Sequence, residues 1–176
     1  MTKLPFPPPE VPADDDLAKL APLFAEKVFT LLREMRDQGH DPIVFEAFRS
    51  DERAAYLYGF GRTWDDGRGI VTKAPNASKS WHRYGLAVDI ISASRQWDAS
   101  GQFWTALRKG ATALGLRSGN DWDRDGVPVE DDPNEHLSDR PHVQWGPPMH
   151  VTPSDHEWEL LNSAGVEAVW QEVGAA

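Results

Sequence analysis

The sequence predicts an α+β fold, a small antiparallel sheet flanked by helices. Apolar residues recur at helical spacing over long stretches, the strand-like runs are short, and the two do not alternate as βαβ units would. The 176 residues fit one domain and are enough to bury a substantial core. Residues 1–13 read as a Pro-rich N-terminal arm and residues 14–176 as a single folded domain, with no internal repeat.

Asp14, Asp15 and Asp16 supply cap and first-turn acids for a first helix. Its apolar positions Leu17, Leu20, Leu23, Phe24, Val28, Leu31 and Leu32 recur at helical spacing to about residue 38. Residues 43–48 form a short strand candidate. A helix capped by Ser50 follows and ends between Gly59 and Gly61. Residues 67–80 are loop-rich, with a possible short strand at 70–73. The best strand is 86–91: Leu86, Val88 and Ile90 share one face, Ala87, Asp89 and Ile91 the other. A third helix spans 103–114 and stops at Gly115. An acidic loop covers 120–140, a short strand 142–145, and Ser154 caps a last helix to about residue 173.

The composition narrows the chemistry. There is no Cys, which excludes disulfides, thiolate metal sites and thiol nucleophiles. A metal would need His and carboxylate donors, a set that suits catalytic rather than structural zinc. The net charge of −10 argues against general affinity for nucleic acid or anionic lipid. Residues 1–11 hold four prolines and no apolar run, so they read as neither signal peptide nor membrane anchor. Synthesis in the cytoplasm and a monomeric chain are expected. Eight Trp residues suit a dense core or a groove, and packing accounts for most of them.

Asp89 stands in a strand that is otherwise wholly apolar, where an unpaired carboxylate costs several kcal/mol, on the order of the penalties for buried charge. A cationic group must face it. His82 lies just before the strand, and Gly85 can take the backbone angles that fold the imidazole back. A zinc ion between His82 and Asp89 answers the burial problem; so does a buried His–Asp hydrogen bond or an Arg83 salt bridge. A second cluster favours the metal. In Asp139-Arg140-Pro141-His142-Val143-Gln144-Trp145, His142 and Gln144 share one strand face, Val143 and Trp145 the other. Two His and one Asp leave a tetrahedral position for water, as catalytic zinc requires. Asp139 reaches that water if Arg140-Pro141 bends the chain; its alternative is a turn-capping aspartate.

These clusters resemble the zinc peptidases that group D-alanyl-D-alanine metallocarboxypeptidases with phage L-alanyl-D-glutamate endopeptidases and share a site fold with the hedgehog domain. The pattern S-x-H-x-x-G-x-A-x-D is met at Ser80, His82, Gly85, Ala87 and Asp89, and D-x-P-H-x-Q at Asp139, Pro141, His142 and Gln144. Arg49, in a strand-to-helix turn, is a third element. The resemblance covers residues 42–146. It implies a zinc peptidase catalytic domain with ligands His82, Asp89 and His142 and with Asp139 as general base, then acid. Arg49 would hold the oxyanion or a substrate carbonyl, or merely pair with Glu46 or Asp51. Ser80 and Gln144 would touch the substrate, Ser80 having a loop-capping hydroxyl as its alternative. Asp139, Pro141 and Gln144 resemble the endopeptidase branch, since carboxypeptidase members often carry Glu at the place of Asp139.

Asp121-Trp122-Asp123-Arg124-Asp125-Gly126 reproduces the first half of a calcium loop, acids at alternate positions and then Gly for the sharp turn. Val127 would add its carbonyl and Asp132 a closing carboxylate, with Glu130 or Asp131 as possible helpers; the alternative is a solvated acidic loop. Calcium there would order the run into Asp139 and His142 and could gate activity. His40, His136 and His156 read as surface or packing residues, and His150 as a spare ligand.

The implied function is an endolysin-type peptidase that cuts peptidoglycan stem peptides after L-alanine and acts at the cell wall after release. A D-alanyl-D-alanine carboxypeptidase is the alternative within the class. A non-catalytic zinc module that binds wall peptide or a protein partner is the alternative outside it.

Overall fold

The computed structural model describes residues 6–135 and 138–176. His136 and residues 1–5 of the arm therefore lie outside the described residues. The described chain holds four strands, β1 (Pro42–Glu46), β2 (Ala87–Ser92), β3 (Arg117–Ser118) and β4 (His142–Gln144). Its α-helices are α1 (Pro22–Asp37), α2 (Asp51–Gly59), α3 (Gly101–Ala113), α4 (Asp155–Ala164) and α5 (Val166–Val173). The strands form one antiparallel sheet in the order β1-β2-β4-β3, so the fold is α+β as expected.

The alternation read from the sequence sorts the two faces of the sheet. Val88 pairs with Val143 and packs into the core with Ile90, where α1 brings Phe24, Val28 and Leu31 and α3 brings Phe103, Leu107 and Ala111. Each large apolar side chain so buried stabilises the fold by about 1.5–3 kcal/mol. Asp89, His142 and Gln144 point the other way, into a groove. Strand β2 is buried along its whole length, being covered on both faces.

Three expected elements differ. The first helix is two pieces, a short 3-10 turn (Leu17–Lys19) and α1, because Pro22 pushes Ala21 out of helical geometry (ψ 136°). The freed Ala21 N–H donates to the Gly85 carbonyl at 2.9 Å, which ties this break to the turn after His82. The last helix is likewise two, broken at Gly165 (φ 90°), although Ser154 caps it as foreseen, with Glu157 completing a capping box. Residues 70–73 form no strand; Ile70 and Val71 are exposed and their segment walls the groove. The two-residue β3 was not foreseen. The described part of the arm is docked rather than free: Val11 O accepts from Arg53 Nη1, and Glu10 faces the same guanidinium at 3.8 Å.

Candidate functional site

The site begins with a row of polar residues across the sheet. In register, Glu46 on β1 pairs with Asp89 on β2, and Asp89 pairs with His142 on β4, all on the groove face. His82 arrives from a 3-10 turn (Trp81–Tyr84) closed by Gly85 at φ 65°. A Cβ at Gly85 would stand 2.2 Å from the Lys19 carbonyl, so space as well as backbone angle demands glycine there.

Three donor atoms converge. Asp89 Oδ1 is 3.4 Å from His82 Nε2 and 3.2 Å from His142 Nδ1. A tetrahedral ion about 2.0–2.1 Å from each donor holds them roughly 3.3 Å apart, so these spacings match the edges of a zinc polyhedron. All three residues are buried. Neither ring nitrogen of His82 has a hydrogen-bond partner among the described residues, an arrangement that costs stability in a metal-free protein. The donor set, its spacing and this orphaned imidazole all fit zinc, and the three residues brought together are those the sequence singled out.

The charges follow from the packing. Burial opposes the Asp89 carboxylate, yet His82 and His142 outweigh it and hold the carboxyl well below the usual range. Burial likewise opposes the His142 imidazolium, but the Asp89 hydrogen bond, helped by Asp139 and Gln144, raises its pKa. Arg49, rather than Arg83, is the guanidinium that faces Asp89, with Nη2 3.6 Å from Oδ2. Arg83 sits 3.9 Å from Asp51 instead.

Arg49 also realises the pairing that the sequence left open. Glu46 accepts from its Nε at 2.8 Å and from its Nη2, and accepts Arg53 Nε at 3.0 Å on its other oxygen. That leaves Arg49 Nη1 as the nitrogen outside the Glu46 clasp, 3.4 Å from Ser80 Oγ. Ser80 is buried, makes no side-chain cap, and lines the groove with Arg49.

Asp139 reaches the same groove by a tight turn: its carbonyl accepts from His142 N at 3.0 Å, and its N–H donates to Gly119 O at 2.8 Å. The residue is exposed at the groove mouth. Desolvation is the main reason its pKa is raised; Asp89 adds to this, while His142, His82 and Arg49 oppose it.

Gln144 is placed differently from the sequence expectation of a substrate contact. Its Nε2 donates to the carbonyls of His150 (3.3 Å) and Val151 (3.2 Å), and its Oε1 lies 3.0 Å from His142 Nε2. The amide has no spare hydrogen for a ligand. His150 joins no group of candidate metal ligands among the described residues; its contribution is a carbonyl, which also accepts from Trp81 Nε1 at 3.0 Å.

The acidic loop forms two overlapping carboxylate groups, Asp121–Asp123–Asp125 and Asp123–Asp132–Glu135. Asp121 is fully buried against Arg108, with Nη1 3.5 Å from Oδ2, and its other oxygen accepts from Gly126 N at 3.4 Å. Val127 donates its N–H to Asp125 at 2.7 Å. Asp132 is buried, its Oδ1 accepts from Asn134 N, and its Oδ2 has no partner; Glu135 Oε2 is also buried without one. Glu135 escaped the sequence reading because it lies beyond the twelve-position loop pattern. Trp122 escaped it too. Standing between two acids, this ring packs on His142 with centroids 5.6 Å apart and helps line the groove, whose volume is about 750 Å³.

No protein-family model matches the chain, and no curated protein matches it either. Among solved structures the chain is similar to the L-Ala D-Glu endopeptidase ChiX of Serratia marcescens, with 23% identity, a TM-score of 0.46, and coverage of 73% of this chain and 82% of that one. It is similar to the LdcB LD-carboxypeptidase with 14% identity, a TM-score of 0.45, and coverage of 96% and 80%. A third similarity is to the vancomycin resistance D,D-dipeptidase VanXYg, with 18% identity and a TM-score of 0.48. There 87% of this chain is covered, but only 59% of that one.

Proposed function

We propose that the chain is a zinc metallopeptidase that hydrolyses the peptide part of bacterial peptidoglycan, and within that class an endolysin-type L-alanyl-D-glutamate endopeptidase. The observation that carries the reading is the convergence of His82 Nε2, His142 Nδ1 and Asp89 Oδ1 at zinc-ligand spacing, in a groove that also receives Asp139 and Arg49. The wall-peptide substrate and the endopeptidase branch rest on the resemblance of the two motifs, with Asp139, Pro141 and Gln144 in the second.

His82, Asp89 and His142 would hold the zinc, which would supply Lewis acidity and acidify water at the site. The protein's own residues do the rest. Asp139, on its turn at the groove mouth, takes the proton of the attacking water and returns it to the leaving amine nitrogen. Arg49, fixed by Glu46, offers Nη1 beside Ser80 to the carbonyl oxygen as negative charge develops there. Ser80 Oγ steadies that nitrogen and lies open to the same substrate oxygen. Glu46 and the sheet row keep the guanidinium from turning away, which is pre-organisation rather than direct chemistry.

A calcium ion in the acidic loop is the second part of the proposal. Asp123, Asp132 and Glu135 support it, since Asp132 and Glu135 each aim an unpartnered buried oxygen into one cluster. Asp125 and the Val127 carbonyl would complete it, while Asp121, already neutralised by Arg108, would contribute least. Through Trp122 on His142, an ordered loop would favour the active groove, so calcium would gate turnover.

The deciding experiment digests purified peptidoglycan with zinc-loaded chain and weighs the fragments. Cleavage between L-alanine and D-glutamate supports the proposal, loss of a terminal D-alanine means a carboxypeptidase, and no cleavage despite bound zinc means a binding module. Equal rates with calcium and with a calcium-selective chelator remove the gating.

A further inference from the structure

The two imidazoles at the candidate metal centre are held in unequal ways. His82 has neither ring nitrogen hydrogen-bonded among the described residues, whereas both nitrogens of His142 have partners. The partner of His142 Nε2 is Gln144 Oε1 at 3.0 Å. An amide oxygen and an amide nitrogen look alike in shape, so which one faces the imidazole must be settled by the rest of the network. Here it is settled twice: the opposite end of the amide meets two carbonyl oxygens, His150 O at 3.3 Å and Val151 O at 3.2 Å. Carbonyls accept only, so that end must be the NH2 group and the end facing His142 must be the oxygen. An oxygen accepts only, so His142 Nε2 must carry a hydrogen. Without an ion Nδ1 shares a proton with Asp89 Oδ1, 3.2 Å away; with Nε2–H fixed by Gln144, Nδ1 is the nitrogen left to meet a metal.

We infer that Gln144 is a positioning residue that locks His142 in the Nε2–H tautomer and so presents Nδ1 to the metal, with the His150–Val151 backbone holding Gln144 in turn. The inference rests on the zinc reading above and adds to it the part that prepares one ligand. The clasp reaches further than one histidine. His150 O also accepts from Trp81 Nε1 at 3.0 Å, and Trp81 immediately precedes His82. One backbone carbonyl therefore fastens both ligand-bearing segments, and Val151 beside it lines the groove. Gln144 itself is buried, and sits on β4 opposite Ala87 in the sheet. Its position is thus fixed by backbone pairing before its side chain is considered.

The test uses the full purified chain labelled with ¹⁵N-histidine. Long-range proton–nitrogen spectra, with His142 identified by its loss in His142→Gln, report which ring nitrogen is protonated. They are recorded on the zinc-loaded chain. The expected result is Nε2–H with Nδ1 ligated. Gln144→Leu, which removes the acceptor, is expected to mix the tautomers and to weaken zinc binding about 10–100-fold, the usual effect of losing an outer partner of a metal-bound His.

An Nδ1–H ring in the zinc-loaded parent chain overturns the inference, and needs no variant to fold. Unchanged zinc affinity in Gln144→Leu overturns it as well. Zinc bound through Nδ1 without any hydrolysis of peptidoglycan leaves the inference standing and removes the peptidase reading instead.

Discussion

Asp89 and His142 face each other across neighbouring antiparallel strands, with the carboxylate Oδ1 3.2 Å from the imidazole Nδ1. Strand pairing alone brings these groups together; the loop that carries His82 then adds the third donor. Because two of three donors are fixed by the sheet, metal removal is expected to leave the fold largely in place. About one zinc per chain is expected by elemental analysis after purification. Asp89→Asn keeps the shape but loses the anion, and should lose the zinc while retaining the circular dichroism of the parent. An Asn variant with a full complement of zinc removes Asp89 from the ligand set.

Asp139 is expected to act on turnover and not on metal binding. Asp139→Asn should lower kcat on wall peptides about 10²–10⁴-fold, the range for loss of a positioned acid–base group, with zinc content unchanged. Hydrolysis rates and metal content measured on one sample check both halves. Zinc lost together with activity would make Asp139 a ligand or a prop for His142.

Gly119 meets Asp139 and His142 from behind. Its N–H donates to His142 O at 2.7 Å, its carbonyl accepts from Asp139 N, and a Cβ there would stand 2.3 Å from Asp139 O. Gly119→Ala is therefore expected to push Asp139 off its turn. It should destabilise the chain by about 1–3 kcal/mol, the typical cost of overpacking, and lower kcat more than it raises KM. Parent-like denaturant midpoint and kinetics would show that the turn yields at no cost.

The sequence displayed the candidate metal ligands better than their surroundings, for a physical reason. Asp89 breaks an apolar run and His142 and Gln144 alternate with Val143 and Trp145, so period-two patterning already assigned their faces. Glu46 gave no such signal, since an acid at the end of a short strand reads as exposed; only the register with Asp89 reveals it as buried. Trp122 reads as one acidic-loop residue among others until the loop folds over His142. The breaks at Ala21 and Gly165 were visible as Pro22 and as Gly165 itself, but apolar periodicity ran across both and concealed them. The two residues of β3 are too few to carry any period.

Glu46 carries two guanidinium groups in a nearly water-free setting, its side chain and those of Arg49 and Arg53 being 1%, 10% and 6% exposed. Removing the carboxylate leaves Arg49 with Asp89 at 3.6 Å as its remaining anion and Arg53 with the exposed Glu10 at 3.8 Å. Glu46→Ala is expected to cost about 3–5 kcal/mol, the range found when one member of a buried ion pair is deleted. Glu46→Gln, which keeps some hydrogen bonding, should cost less. A denaturant midpoint unchanged in the Ala variant would mean that water reaches both arginines.

Asp41 offers a test by acid. Its carboxylate accepts from Ser92 Oγ and from Ser94 N, both at 2.7 Å, and so fastens the end of β2 to the entry of β1. The hydrogen bonds from Ser94 and then Ser92 pull its pKa from 3.8 down to about 2. A carboxylate whose pKa is depressed by folding contributes stability that is complete above its unfolded value. That stability drains away as pH falls from there through the folded value. The window is therefore about pH 4 down to about pH 2. In Asp41→Asn the proton-linked part is absent, so its Tm should fall less steeply with acid than the parent's across this window. The two Tm curves should run parallel at higher pH, separated by whatever the neutral amide fails to supply. Curves that stay parallel down to the lowest pH would mean that these two serine contacts give no preference for the charged carboxyl.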